Sequence, residues 1–220
     1  MLIKALIKDT VPPLKFSDTI KKALNWMEEF HVNHLPVVDD KGYAGLLALQ
    51  NLSGLDQQQL ISSVDISLFD KSFITEGRHI YEVMKLMYDK EISVVPVMSE
   101  ENKYLGLITL ADVVQYFSGT GAVQEPGGII VLEVNANDYT MSQIAQIIES
   151  NNASVLSSFT NAIPAQNKIE ITLKVNKTDL SRIIAGFERY NYNVKEFYHQ
   201  NEYVDTLKSR YDSLMNYLNI

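Results

Sequence analysis

The chain has 220 residues, with 27 acidic against 19 basic side chains, a formal net charge of −8, 46% hydrophobic content and no cysteine. That is the balance of an ordinary globular protein, long enough for one large domain or two compact ones. It excludes disulfides, thiolate metal sites and a cysteine nucleophile, and it argues against nucleic acid as a partner, since phosphate needs clustered Lys and Arg.

In chain order, "MLIKALIKDTVPP" has too short an apolar run for a secretory signal, and no segment reaches membrane-spanning length. A cytoplasmic protein without a membrane partner is expected. Residues 17–52 and 76–114 then form a repeat. Each copy opens with an amphipathic helix, through Ile20, Ala23, Leu24, Met27 and Phe30 in the first and Ile80, Val83, Met84 and Met87 in the second. Each continues into a short strand around Pro36 or Pro96, an acidic turn, and a second strand through Gly45 or Gly106. The proline marks its strand as an edge or as one with a free N–H side. A second helix closes each copy. A unit of this size cannot bury its own apolar faces, so the two copies should pack as one domain.

Past "SGTGAVQEPGG" (118–128) the pattern changes. "IIVLEV" alternates as a strand, and Thr140-x-x-Gln143 reads as a capping box for a helix through Ser150. Two strands follow, with a turn near Pro164–Asn167. A helix over "DLSRIIAGFERYNY" and a strand over "NVKEFYH" complete the order βαββαβ of a ferredoxin-like sandwich. The segment 201–220 sets Val204, Leu207, Tyr211, Leu214 and Leu218 on one stripe, as a terminal helix would.

The two copies differ at one place. "GLITLAD" ends in Thr109-x-x-Asp112, whereas "GLLALQN" has Ala48 and Asn51 there. Thr109 and Asp112 sit where a strand becomes a helix. A carboxylate has acceptors only, which suits the two hydroxyl donors of a ribose cis-diol, and the threonine hydroxyl reaches the same ligand. The spacing is equally that of a helix capping box. Asn51 carries one carbonyl oxygen and an NH₂ donor, so a diol there would leave one hydroxyl poorly paired, at a cost on the order of 1–3 kcal/mol.

The paired segments "VNHLPVVDDKGYAGLL" and "ISVVPVMSEENKYLGLITLAD" resemble the CBS-domain family, whose members pair two copies with pseudo-twofold symmetry as a Bateman module. The βαββαβ half resembles an ACT domain, and the order CBS–CBS–ACT is similar to regulatory proteins of the acetoin-utilisation type. The resemblance implies a mixed α+β and α/β fold. It divides the chain into a CBS-domain pair over 1–118 (repeats about 1–60 and 61–118), a linker over 119–128, an ACT-like domain over 129–200 and a helix over 201–220. It makes Thr109 and Asp112 the ribose contacts of an adenosine ligand. It also brings the residues before the "LPVV" strand of the other copy, Asn33 and His34, to that ligand's far end. Val32 and Leu107 are the implied adenine walls, with Val11 and Pro12 nearby. Ser93 and Val94, facing Ala48 and Asn51, offer no charge, so one composite site is expected. His34 reads equally as a hydrogen-bonded structural side chain. A single histidine holds phosphate less well than an arginine fork, which favours AMP, or another adenosyl ligand, over ATP.

The expected protein is thus a regulatory sensor that acts as a homodimer on an unidentified target protein, with no covalent cofactor and no metal. The alternatives are a ligand-free scaffold and an amino-acid sensor in the ACT-like half. That half lacks a glycine in its first turn, "NANDYT", and Asp138 there reads as a ligand for an amine or as a turn former. The four histidines have no metal-binding spacing and no hydrolase or P-loop motif appears, so an enzyme is not expected.

Overall fold

The computed structural model describes residues 3–8, 11–163 and 166–199. The expected helix over 201–220 and residues 164–165 of the expected turn lie outside them. The backbone divides into two units, Met1–Ser118 and Gly119–Ile220, each with its own core.

The first unit is a doubled motif. One copy runs β1 (Leu14–Lys15), α1 (Ile20–Glu29), β2 (His34–Asp39) and β3 (Gly42–Ala48). The other runs β4 (Ile74–Thr75), α2 (Ile80–Lys90), β5 (Val94–Met98), β6 (Tyr104–Thr109) and α3 (Leu110–Ser118). The two three-stranded sheets have matching orders, β1-β2-β3 and β4-β5-β6. The proline strands β2 and β5 are therefore central and not edges. Pro36 is tolerated because β1 pairs only with Val37 and Val38 and stops short of it.

Local chemistry sets the helix starts. The Thr19 hydroxyl accepts from Lys22 N–H at 3.2 Å, and the His79 imidazole accepts from Tyr81 N–H at 3.3 Å. Ile20, Ala23 and Met27 of α1 are buried, as are Ile80, Val83 and Met87 of α2. Met84, expected on the core face, is 40% exposed instead, on the same side of α2 as Tyr81 and Tyr88. The second helix expected in the first copy is only a 3₁₀ turn over Leu49–Leu52. Gly54 follows it at φ +80°, a left-handed conformation that ends helical propagation.

The copies share one core, in which Leu35, Leu47, Val95 and Ile108 are fully buried, and each also lends an arm to the other. Lys8 forms a bridge with Leu107 of β6, and Asp70 forms one with Leu46 of β3. Leu107 and Leu46 are equivalent, each standing opposite the proline of its sheet, so Lys8 and Asp70 occupy equivalent places. Gly45 makes room for the second arm. It has φ +140°, and a Cβ there would lie 2.8 Å from Phe69 Cβ and 3.0 Å from the Asp70 carbonyl.

The second unit runs α4 (Gly121–Gln124), β7 (Gly128–Asn135), α5 (Met141–Glu149), β8 (Val155–Ile163), β9 (Lys168–Val175), α6 (Ser181–Arg189) and β10 (Asn193–His199). Its sheet is fully antiparallel in the order β10-β7-β9-β8, the ferredoxin-like arrangement. Ile130, Leu132, Ile171 and Leu173 meet Ile144, Ile147, Ile183 and Phe187 of the helices. The linker expected over 119–128 contains the short helix α4. The capping box expected at Thr140 is not formed: Thr140 makes no side-chain cap bond, and the Gln143 carbonyl instead accepts from the Tyr192 hydroxyl at 2.8 Å.

Candidate functional site

β6 turns into α3 at Thr109, and the turn is closed by its own side chains. Thr109 N–H donates to Asp112 Oδ2 at 2.9 Å and the Thr109 hydroxyl donates to the same oxygen at 2.6 Å. Asp112 N–H returns a bond to Thr109 Oγ1 at 3.1 Å. The capping box is thus formed, which satisfies amide groups that a helix start leaves unpaired. Ser93 carbonyl accepts from Leu110 N–H at 3.0 Å and ties the turn to the start of β5.

Asp112 is nonetheless unusual for a cap, because it is buried at 7% exposure. Its second oxygen, Oδ1, meets the Lys8 ammonium at 2.5 Å, and that ammonium also reaches Gln115 Oε1 at 3.3 Å. Burial opposes the charge on Asp112, but the bonds from Lys8 and Thr109 outweigh it and hold the carboxyl below the ordinary aspartate range. Lys8 is a component that sequence reasoning missed. It lies about a hundred residues away in the chain, and only the arm's bridge to Leu107 brings it here.

The equivalent turn in the first copy is weaker. Asn51 Oδ1 accepts from Ala48 N–H at 3.1 Å, reproducing one of the Asp112 bonds. There is no hydroxyl, and the arm that crosses this copy brings Asp70 in place of a lysine. The Asp70 carboxylate is held by Ser72 N–H at 2.6 Å, with Lys90 at 3.7 Å.

The remaining expected residues divide into two groups. Asn33 and His34 gather around Ser93: its hydroxyl takes Asn33 N–H at 2.9 Å, and His34 Nδ1 lies 3.1 Å from that hydroxyl and 3.2 Å from Ser93 N–H. Among the described residues His34 bonds to Ser93 and not to Thr109 or Asp112; the connection runs through the Ser93 backbone to Leu110. Because Nδ1 accepts from a backbone N–H, the proton of the neutral ring sits on Nε2. Burial pushes the His34 pKa down from 6.5, against the pull of Asp70. A cationic histidine for phosphate is therefore not what the fold prepares; it prepares a neutral one whose single ring N–H is on Nε2. Val11, Val32 and Leu107 are the other group. Each is at most 4% exposed, packed into the shared core and not lining open space, while Pro12 is half-buried.

In the second unit, Asn135 Nδ2 donates to Asp138 Oδ2 at 2.9 Å, the contact of a turn former. A concavity of about 410 Å³ is lined there by Glu133, Asn135, Asp138, Gln143, Lys168 and Tyr192 among others. Its main charges are paired, Lys168 with Glu133 at 2.6 Å. Among the described residues no cluster of His, Asp or Glu could hold a metal ion, and no helix is long and apolar enough to cross a membrane.

The family model described as the CBS domain matches residues 3–55 and 70–119, one stretch in each copy. Inosine-5'-monophosphate dehydrogenase of Methanocaldococcus jannaschii is 25% identical over 150 residues, which is 67% of this chain and 29% of that protein. Homoserine O-acetyltransferase of Methanosphaera stadtmanae is 31% identical over 117 residues, 51% of this chain and 24% of that one. The chain thus spans less than a third of the length of these two curated relatives. Among solved structures, a CBS domain pair/ACT domain protein from Thermotoga maritima aligns with a TM-score of 0.47 at 22% identity, covering 53% of this chain and 96% of that one. Two matched segments, two equivalent sheets and one shared core agree: residues 3–55 and 70–119 each match the CBS domain, and the first unit has the fold of a CBS-domain pair, a Bateman module.

Proposed function

We propose that this chain is a regulatory binding protein that senses an adenosine-containing ligand, with AMP favoured, at one site built around Thr109 and Asp112. The observation that carries this reading is the buried Asp112 carboxylate at the start of α3, with only Asn51 in its place in the other copy. A buried carboxylate costs free energy unless it is paired, and a helix cap needs no burial. An acceptor kept charged by Lys8, and able to take hydroxyl donors when that ammonium moves aside, accounts for it. Asn33 and His34 serve the far end of the ligand, His34 through its Nε2–H. The ACT-like half serves as the dimerisation element, and the bound state alters how a homodimer meets its target protein. The ligand shifts that equilibrium only by its differential affinity for the two arrangements. No reaction is assigned to the chain, and its setting is the cytoplasm.

Titration calorimetry with AMP, ADP, ATP and S-adenosylmethionine tests this. We expect binding of AMP at one equivalent per chain, lost in Asp112→Ala and nearly unchanged in Asn51→Ala. Absence of heat with all four at millimolar ligand returns the chain to the scaffold reading. A second reading, amino-acid sensing in the ACT-like half, is favoured by the concavity beside Asp138. It predicts amino-acid binding that Asp138→Ala abolishes.

A further inference from the structure

The lone pairs of Asp112 are nearly all in use. A carboxylate offers about four acceptor positions, and Oδ2 already accepts twice from Thr109 while Oδ1 accepts from Lys8. A cis-diol brings two donors. It cannot be accommodated on Asp112 while the Lys8 ammonium stays. Lys8 can move without unfolding anything: its side chain is 41% exposed, its backbone stays pinned by Lys8 N–H to Leu107 carbonyl at 3.3 Å, and its four-carbon stem is flexible.

We propose that Lys8 determines the ligand selectivity of this site. A ribose must displace its ammonium from Asp112, and a ligand with an anionic group beside that ribose gives the ammonium a new counter-charge, which a neutral or cationic adenosyl ligand does not. This rests on the adenosyl reading of Asp112 and adds to it the charge class of the ligand. His34, held neutral at Nδ1 by Ser93, does not compete for the role. The other copy has no lysine at the equivalent place, which holds Asp70, its carboxylate bound by Ser72 N–H and within 3.7 Å of Lys90. The arm that brings a cation to a strand-to-helix turn is thus the one beside Asp112.

AMP and adenosine share base and ribose and differ only in the phosphate, so their affinity ratio isolates the effect. The full chain is titrated with each, as wild type, Lys8→Met and Lys8→Arg, with melting curves confirming that the variants fold. Wild type should prefer AMP by about tenfold or more, the scale of one charge-assisted hydrogen bond. Lys8→Met should bring the ratio to within about threefold, with adenosine binding tighter and AMP weaker, and Lys8→Arg should restore the preference. Adenosine binding to Lys8→Met alone, with none to wild type, also supports the proposal. An AMP preference unchanged in Lys8→Met, or absent from wild type, overturns it while leaving the adenosyl reading intact. If neither ligand binds any of the three proteins, both readings fall together.

Discussion

At the scale of single residues, Asp112 ties the β6–α3 turn together through Thr109 and Lys8. Asp112→Ala removes the bonds from Thr109 and Lys8 and the cap of α3, and should cost about 1–3 kcal/mol, read from the urea midpoint. Thr109→Val loses the hydroxyl that donates to Asp112 Oδ2 and accepts from Asp112 N–H, while the Lys8 pair and the Thr109 N–H bond remain, and should cost about 1 kcal/mol. The sign of the pH dependence follows from the lowered Asp112 pKa. Its contribution is present above the ordinary aspartate value of 3.8 and is lost as pH falls through the lower folded value. His34 acts nearer neutrality. Its pKa is also lowered, so the unfolded chain takes up the proton first, and stability declines as pH drops below 6.5. His34→Gln should flatten the stability profile just below pH 6.5; an unchanged slope there would count against the buried neutral ring.

Elements show where sequence patterns suffice and where they fail. The second unit was legible because its strands alternate and its turns carry Gly, Asn and Pro. Ile130, Leu132, Ile171 and Leu173 fall on the core face as the period of two requires. Met84 was placed wrongly because helical spacing marks an apolar residue without telling which of two neighbouring faces is covered. The missing helix after Leu52 depends on Gly54 taking a left-handed conformation, which sequence alone permits but does not impose. Thr109 and Asp112 were legible as a motif. Lys8, Ser93 and Asp70 were not, since their meaning arises from contacts between distant segments. Gly45→Ala should destabilise the first unit by about 2–4 kcal/mol, combining backbone strain with overpacking against Phe69. Gly54→Ala has open space around its Cβ position and should cost only about 1–2 kcal/mol of strain. Thermal melts of the two variants check the order.

For the whole molecule, the repeat makes a prediction about number. Two equivalent turns with different donors should bind one nucleotide per chain, and light scattering should find twice the chain mass if the homodimer reading holds. With dimerisation assigned to the second unit, charge introduced at the exposed Tyr81, Met84 and Tyr88 of α2 should leave that mass unchanged.

The crossed arms have a further consequence. Because Lys8 bridges to Leu107 and Asp70 to Leu46, neither copy is complete with its own residues; each half of the pair is finished by a piece of chain that belongs to the other. Cutting the connection after the first copy should therefore not separate the halves. Two fragments, produced together and meeting within the exposed stretch around Leu55–Gln59, should reassemble by mutual embrace, whereas either one alone should associate with itself. In that sense the chain behaves as two interlocked molecules joined by a short connection, whose Gln57 and Gln59 carbonyls accept from Lys21 and Ile20 N–H and so tie it to the start of α1.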